Sequence, residues 1–121
     1  MAFRITLLIK KLDTLTHDDW EGPHAELFLK CPIVKEKVIK YSQFHINQTV
    51  SASLTAAGLP MSEFDGEVNI WGASLEDLMA MLQDPEYQRT VVPDGAVFIK
   101  TEDSRMMVGY DKDFIANGKV L

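Results

Sequence analysis

Residues 37–47, KVIKYSQFHIN, are the stretch on which the reading of this chain turns. β-Branched and aromatic residues dominate it, and neither Gly nor Pro interrupts it, so it predicts one extended strand. Side chains along a strand alternate between its two faces. Ile39, Tyr41, Gln43 and His45 then share one face, and Val38, Lys40, Ser42, Phe44 and Ile46 the other. A phenol, a carboxamide and an imidazole in register are too polar for an ordinary core, and they read as one wall of a polar-lined cavity. The competing reading is the wet face of an antiparallel sheet.

The segments around this strand complete a pattern. Residues 3–10, FRITLLIK, form a strand with Phe3, Ile5, Leu7 and Ile9 on an apolar face and Thr6 and Leu8 on a mixed one. Thr16, with Asp19 three residues on, is an N-cap for a helix whose stripe holds Trp20, His24, Leu27, Phe28 and Cys31. Gly22-Pro23 and Cys31-Pro32 kink or divide that helix. Residues 50–57 form a short helix or loop, with Gly58 suited to its C-terminal cap. Residues 67–71 are a third strand, Val68 and Ile70 on its apolar face and Glu67, Asn69 and Trp71 on its mixed face. Ser74 caps a helix with Leu75, Leu78, Met79 and Leu82 as its buried stripe, and Asp84-Pro85 starts a further helical turn. Pro93-Asp94-Gly95 is a turn, residues 97–100 a fourth strand with Phe98 on the mixed face, and residues 105–110 a short fifth. The order β-α-β-β-α-β is the split βαβ, ferredoxin-like pattern, an α+β fold with helices on one face of a four-stranded antiparallel sheet. The other face would gather Leu8, Tyr41, Trp71 and Phe98, too much apolar surface to leave in water, and pairing two such sheets would enclose a cavity.

Composition narrows the partners. A chain of 121 residues predicts one domain spanning 1–121. A net charge of −6 argues against nucleic acid and anionic membrane as partners. The apolar runs are far shorter than a membrane span, and the opening MAFRITLLIKK reads as a strand rather than a signal peptide. The lone Cys31 cannot form an internal disulfide, which favours a reducing, cytoplasmic setting.

Trp20-Glu-Gly-Pro-His24-Ala-Glu-Leu27 resembles the W-x-x-x-H-x-x-L signature of the EthD family of dimeric α/β barrels. The tail, from Ser104-Arg-Met-Met-Val-Gly-Tyr110 to Gly118-Lys-Val-Leu121, is similar to the end of that family's fungal polyketide-tailoring branch, the atrochrysone carboxylic acid decarboxylase-like proteins. After the Pro-Asp turn, where such decarboxylases tend to carry acidic and histidine residues, only Asp94 keeps the position. The resemblance implies a homodimer, a pocket between sheet and helices or inside the barrel, a flat aromatic polyketide ligand, and no metal or organic cofactor. It further implies a lyase, cyclase or isomerase of secondary metabolism, moving protons in a decarboxylation, dehydration, cyclisation or isomerisation.

The site residues follow from chemistry and resemblance together. His24 and His45 are the candidate acid/base groups, since imidazole changes charge near neutral pH. Tyr41 would donate its phenol proton to a carbonyl or enolate oxygen. Trp71, with Trp20 and Phe98, would supply aromatic walls, and Gln43 and Asn69 would orient a phenolic substrate. Each has a plainer reading: His24 packed on the sheet, His45 facing water at a strand end, the aromatics in core or interface. His24, His45 and Asp65 lack paired-ligand spacing, so no metal site is expected. Two further functions stay open, a cofactor-free oxygenase of anthrone-like phenols and a non-catalytic binding or stress-response barrel.

Overall fold

The computed structural model describes residues 2–13 and 24–121. The expected cap at Thr16 and the aromatic wall at Trp20 lie outside them. Four strands, β1 (Phe3–Ile9), β2 (Val38–His45), β3 (Gly66–Gly72) and β4 (Arg105–Gly109), form an antiparallel sheet in the order β2-β3-β1-β4. The connections carry helices α1 (Ala25–Lys30), α2 (Pro32–Lys37), α3 (Gln48–Ala56), α4 (Leu75–Gln83) and α5 (Pro85–Phe98). A two-stranded hairpin, β5 (Ile115–Ala116) with β6 (Lys119–Val120), ends the chain. This is the ferredoxin-like arrangement that the element order implies.

Local chemistry sets the helix ends. Pro32 opens α2 and Pro85 opens α5, where a missing N–H costs no hydrogen bond. Ser74 Oγ accepts from the Asp77 N–H, and Asp84 Oδ2 from the Tyr87 N–H. Asn47 caps α3 in the same way. At the far end of α3, Gly58 takes a positive φ of 94°, its N–H reaches Thr55 O, and the Leu59 N–H reaches Leu54 O. That pair of bonds is the Schellman cap expected at Gly58.

The core lies between helices and one sheet face. Ile5, Ile9, Val68 and Ile70 meet Phe28, Val34, Leu78, Met81, Tyr87 and Val91 there. On α4 the buried residues are Leu78 and Met81, while Leu75 and Met79 are exposed. The stripe expected on α4 is therefore rotated, because its centre follows the sheet below rather than the densest run of apolar letters. Cys31 is buried where α1 meets α2.

Register overturns one expectation outright. Tyr41 pairs with Ile70, Gln43 with Val68 and His45 with Gly66. Ile70 in turn pairs with Ile5, and Val68 with Leu7. Directly opposed residues share a face, so Tyr41, Gln43 and His45 lie on the helix side. They do not share a face with Trp71 and Asn69, whose partners are Lys40 and Ser42 on β2 and Arg4 and Thr6 on β1. The cause is a bulge between Val38 and Lys40. Ile39 drops out of the ladder and is 62% exposed, and both Val38 and Tyr41 turn inward against the core.

The expected fourth strand at residues 97–100 is also corrected. Helix α5 runs on through Phe98, with the Ile99 N–H still bonded to Gly95 O, and only Ile99 makes a bridge, to Lys11. The expected turn at 93–95 is likewise inside the helix, including Pro93. Packing of α5 over the sheet outweighs the strand preference of Val97-Phe98-Ile99. The edge position goes to β4, the segment read as a fifth strand.

Two predictions follow from the packing. A methyl group at Gly72 would sit 2.8 Å from Leu78 Cγ, and Leu78 is fully buried. Gly72→Ala should cost about 1–3 kcal/mol, read as a lower urea midpoint at unchanged slope. Burial pushes the Tyr87 phenol up to about 12, with the nearby Tyr41 and Cys31 adding to the rise. An unfolded tyrosine ionises near 10, so the unfolded chain releases this proton first. The stability held by neutral Tyr87 should be complete below about pH 10 and fall away between about 10 and 12. Urea midpoints across that window should fall less steeply in Tyr87→Phe.

Candidate functional site

A cavity of about 200 Å³ opens between the sheet and helices α1 and α5. A cavity of roughly 150 Å³ suffices for benzene, so this one has room for a small substituted ring. Its floor is Leu7, Ile9, Val68 and Ile70, and its roof is largely Phe28, Leu82, Tyr87 and Val91. The lining is almost wholly apolar. The polar exceptions that matter chemically are His24 and Tyr41.

His24 stands just ahead of α1, which begins at Ala25. Its Nδ1 lies 2.8 Å from Asp94 Oδ2, on α5, 70 residues away in sequence. Next to a carboxylate acceptor, Nδ1 carries the proton and Nε2 is left with its lone pair. The pair is mostly buried, with 14% of the His24 and 29% of the Asp94 side chain exposed. Gly95 packs beside the ring, and a Cβ there would reach van der Waals contact at 3.4 Å from His24 Cε1. Phe98 stacks obliquely at 6.1 Å between ring centroids. A carboxylate-oriented imidazole with one free nitrogen, on the wall of an apolar cavity, is the arrangement of a general base.

Tyr41 reaches the cavity from β2. Its ring packs 4.4 Å from that of Phe28. Gln43 Nε2 donates to the Tyr41 hydroxyl oxygen at 3.0 Å, and Gln43 Oε1 and His45 Nε2 are 2.8 Å apart. Burial raises the Tyr41 phenol above the usual value, and the Gln43 hydrogen bond partly offsets it. Tyr41 therefore stays a neutral O–H donor across the physiological range.

The candidates named from sequence thus separate. His24, Tyr41 and Phe98 come together on one cavity, Phe98 from a helix rather than a strand. Gln43 and His45 stand beside a groove lined also by Ala25 and Leu29, and among the described residues Tyr41 links that groove to the cavity. Trp71 and Asn69 are on the opposite sheet face. Trp71 Nε1 donates to Asp111 at 2.6 Å, and Lys40 Nζ sits 4.5 Å above its ring. Asn69 Oδ1 accepts from Thr6 Oγ1 at 2.8 Å. The residue that sequence reasoning missed as a site member is Asp94. Its one signal was that it keeps the family's position after the proline, and a turn reading absorbed it. Among the described residues no group of three His, Cys, Asp or Glu side chains is placed to hold a metal ion. None of the described helices is long and apolar enough to cross a membrane.

Comparison with known proteins bears on the family and the fold. The chain is 31% identical over 88 residues to a conidial pigment biosynthesis dehydratase EthD of Metarhizium robertsii, a match covering 69% of this chain and 62% of that relative's length. It is 29% identical to the dehydratase aurZ of Gibberella zeae, over 97% of this chain and 82% of the relative. A protein named decarboxylase from Claviceps purpurea is 28% identical over 77% of this chain and 72% of its own. Among solved structures, an EthD family protein of Bacillus halodurans superposes with a TM-score of 0.63 at 20% identity, covering 93% of this chain and 99% of its own. A dimeric ferredoxin-like protein of Thermobifida fusca gives a TM-score of 0.61 at 17% identity, over 90% of both chains. The EthD domain profile matches residues 15–102, a span that includes both His24 and Asp94, and the chain belongs to the EthD domain family.

Proposed function

We propose that this protein is a lyase-type tailoring enzyme that moves protons on a small aromatic or β-keto compound of the polyketide type. The observation that carries the proposal is the His24–Asp94 pair, 2.8 Å apart, on the wall of an apolar cavity. The names of the relatives, dehydratase and decarboxylase, support the same reaction class. Loss of water or of carbon dioxide from such a compound leaves its redox balance unchanged, so the reaction calls for acid and base groups alone.

The roles follow from the geometry. In a dehydration, His24 Nε2 removes the proton α to the substrate carbonyl. The Tyr41 hydroxyl donates to the carbonyl oxygen as it becomes an enolate. The enolate electrons then re-form the C=O bond while the α–β double bond forms and the β-hydroxyl leaves. The leaving oxygen takes the proton from the His24 imidazolium and departs as water. In a decarboxylation, His24 Nε2 takes the proton of the substrate's carboxyl group, the C–C bond to the resulting carboxylate breaks with loss of carbon dioxide, and the imidazolium returns that proton to the enolate carbon. Asp94 stabilises the imidazolium in both cases.

The chain's other sheet face fits a homodimer. Leu8, Phe44, Trp71 and Met107 stand on it, with Phe44 58% and Met107 52% exposed. Apolar patches of that kind mark interfaces. Two of the solved neighbours are dimeric.

Two experiments test these readings. With an aryl β-hydroxy ketone as substrate, enone absorbance should report turnover. His24→Ala should lower kcat by about 10²-fold or more, and Asp94→Asn by at least roughly tenfold, with far-UV circular dichroism unchanged. Parental turnover in both variants would remove His24 from the mechanism. In sedimentation, the parent should be a dimer at micromolar concentration and the double variant Phe44→Glu, Met107→Glu a folded monomer. A monomeric parent at roughly 100 μM would rule the dimer out, since an interface of standard size binds far more tightly than that.

A further inference from the structure

Sequence reasoning expects the carboxamide of Gln43 to orient substrate, yet Gln43 does not itself line the cavity. It lies between two side chains of its own strand. Nε2 donates to the Tyr41 hydroxyl oxygen at 3.0 Å, and Oε1 faces His45 Nε2 at 2.8 Å. All three are on the inner face of β2, at alternate positions, and Tyr41 alone belongs to both the cavity and the outer groove. An amide offers donors on nitrogen and acceptor lone pairs on oxygen. With the nitrogen turned to Tyr41, the oxygen must receive a proton from the imidazole. His45 therefore holds the amide in one sense.

The consequence falls on the phenol. A hydroxyl that accepts from Gln43 keeps its own proton for another partner. Among the described residues, Phe28, Val68 and Ile70 give the cavity an apolar wall that it shares with Tyr41. An oxygen atom of a ligand held there is an acceptor that this proton can meet. We propose that Gln43, held by His45, is a positioning residue that turns the Tyr41 O–H into the cavity and so selects ligands with a carbonyl or phenolate oxygen at that point. This rests on the proposed role of Tyr41 as the oxygen-binding acid. It assigns Gln43 and His45 to the orientation of that acid rather than to contact with substrate.

Reversing the hydrogen bond separates positioning from a merely structural role. Gln43→Leu and Gln43→Met remove the donor. Gln43→Glu replaces it by a carboxylate that accepts the Tyr41 proton and draws it away from the cavity. The probe is carbonyl-labelled acetophenone, a ring of a size the cavity takes, followed by its C=O stretch. In the parent the bound carbonyl should absorb at lower frequency than in Tyr41→Phe. In Gln43→Leu and Gln43→Met it should move part of the way towards the Tyr41→Phe frequency, with affinity weakened about two- to tenfold, the range of one neutral hydrogen bond. In Gln43→Glu it should reach the Tyr41→Phe frequency. Parental frequencies in all three Gln43 variants overturn the proposal and leave the Tyr41 role intact. A band that is the same in the parent and in Tyr41→Phe overturns both, while the His24→Ala turnover test still decides the base. A second measurement needs no ligand: the phenolate absorbance step that Tyr41→Phe removes should appear at higher pH in Gln43→Leu, and an unmoved step counts against the proposal.

Discussion

One residue left out of a hydrogen-bond ladder governs how this molecule is divided. Because the side-chain period of a strand is two, a one-residue slip moves every following side chain to the other face. At Ile39 that slip occurs, and from there to His45 the odd-numbered residues of β2 look towards the helices. Without it, Lys40 and Ser42 would stand under α1 and α2, and Tyr41 would stand on the open face. The bulge sits on an edge strand, where the ladder loses least by it. It turns Val38 and Tyr41 to the core together and leaves Ile39 outside.

The sheet thereby separates the cavity from the exposed apolar face. On the inner side a polar trio lies among aliphatic residues, and Tyr41 is the member that reaches the cavity. On the outer side one row runs Met107, Thr6, Asn69, Ser42 across all four strands, with Phe44 and Trp71 in the rows beside it. Thr6 and Asn69 are 3% and 5% exposed and bonded to each other, so the outer face keeps its central polar groups buried and paired. The helices meanwhile bring His24 and Asp94 together. His24 precedes α1, Asp94 lies on α5, and Gly95 packs beside the imidazole. The carboxylate holds Nδ1 and so fixes the orientation of the ring.

Much of the candidate site was legible before the fold was known, though not its layout. Tyr41 and His24 stood out by residue type and by family signature, and both line the cavity. Phe98 was the right residue on the wrong element, because a run of β-branched and aromatic letters concealed a helix continuing from Pro85. Trp71 and Asn69 were grouped with Tyr41 only because strict alternation was carried across Ile39. Asp94 was read as part of a turn, and nothing local in Pro93-Asp94-Gly95 announces a histidine 70 residues earlier.

The amino-acid sequence by itself determined most element types, the helix caps at Gly58 and Ser74, the alternating apolar faces of β1 and β3 and the order that makes a ferredoxin-like sheet. Those depend on short-range periodicity, backbone propensity and capping, which neighbouring residues specify among themselves. Only the tertiary structure decided which way β2 faces, how far α5 extends, and that His24 meets Asp94. Those depend on contacts between residues distant in the chain, and the packing of Tyr41 against Phe28 and of Tyr87 and Val91 into the core outweighs any preference that a local stretch can express.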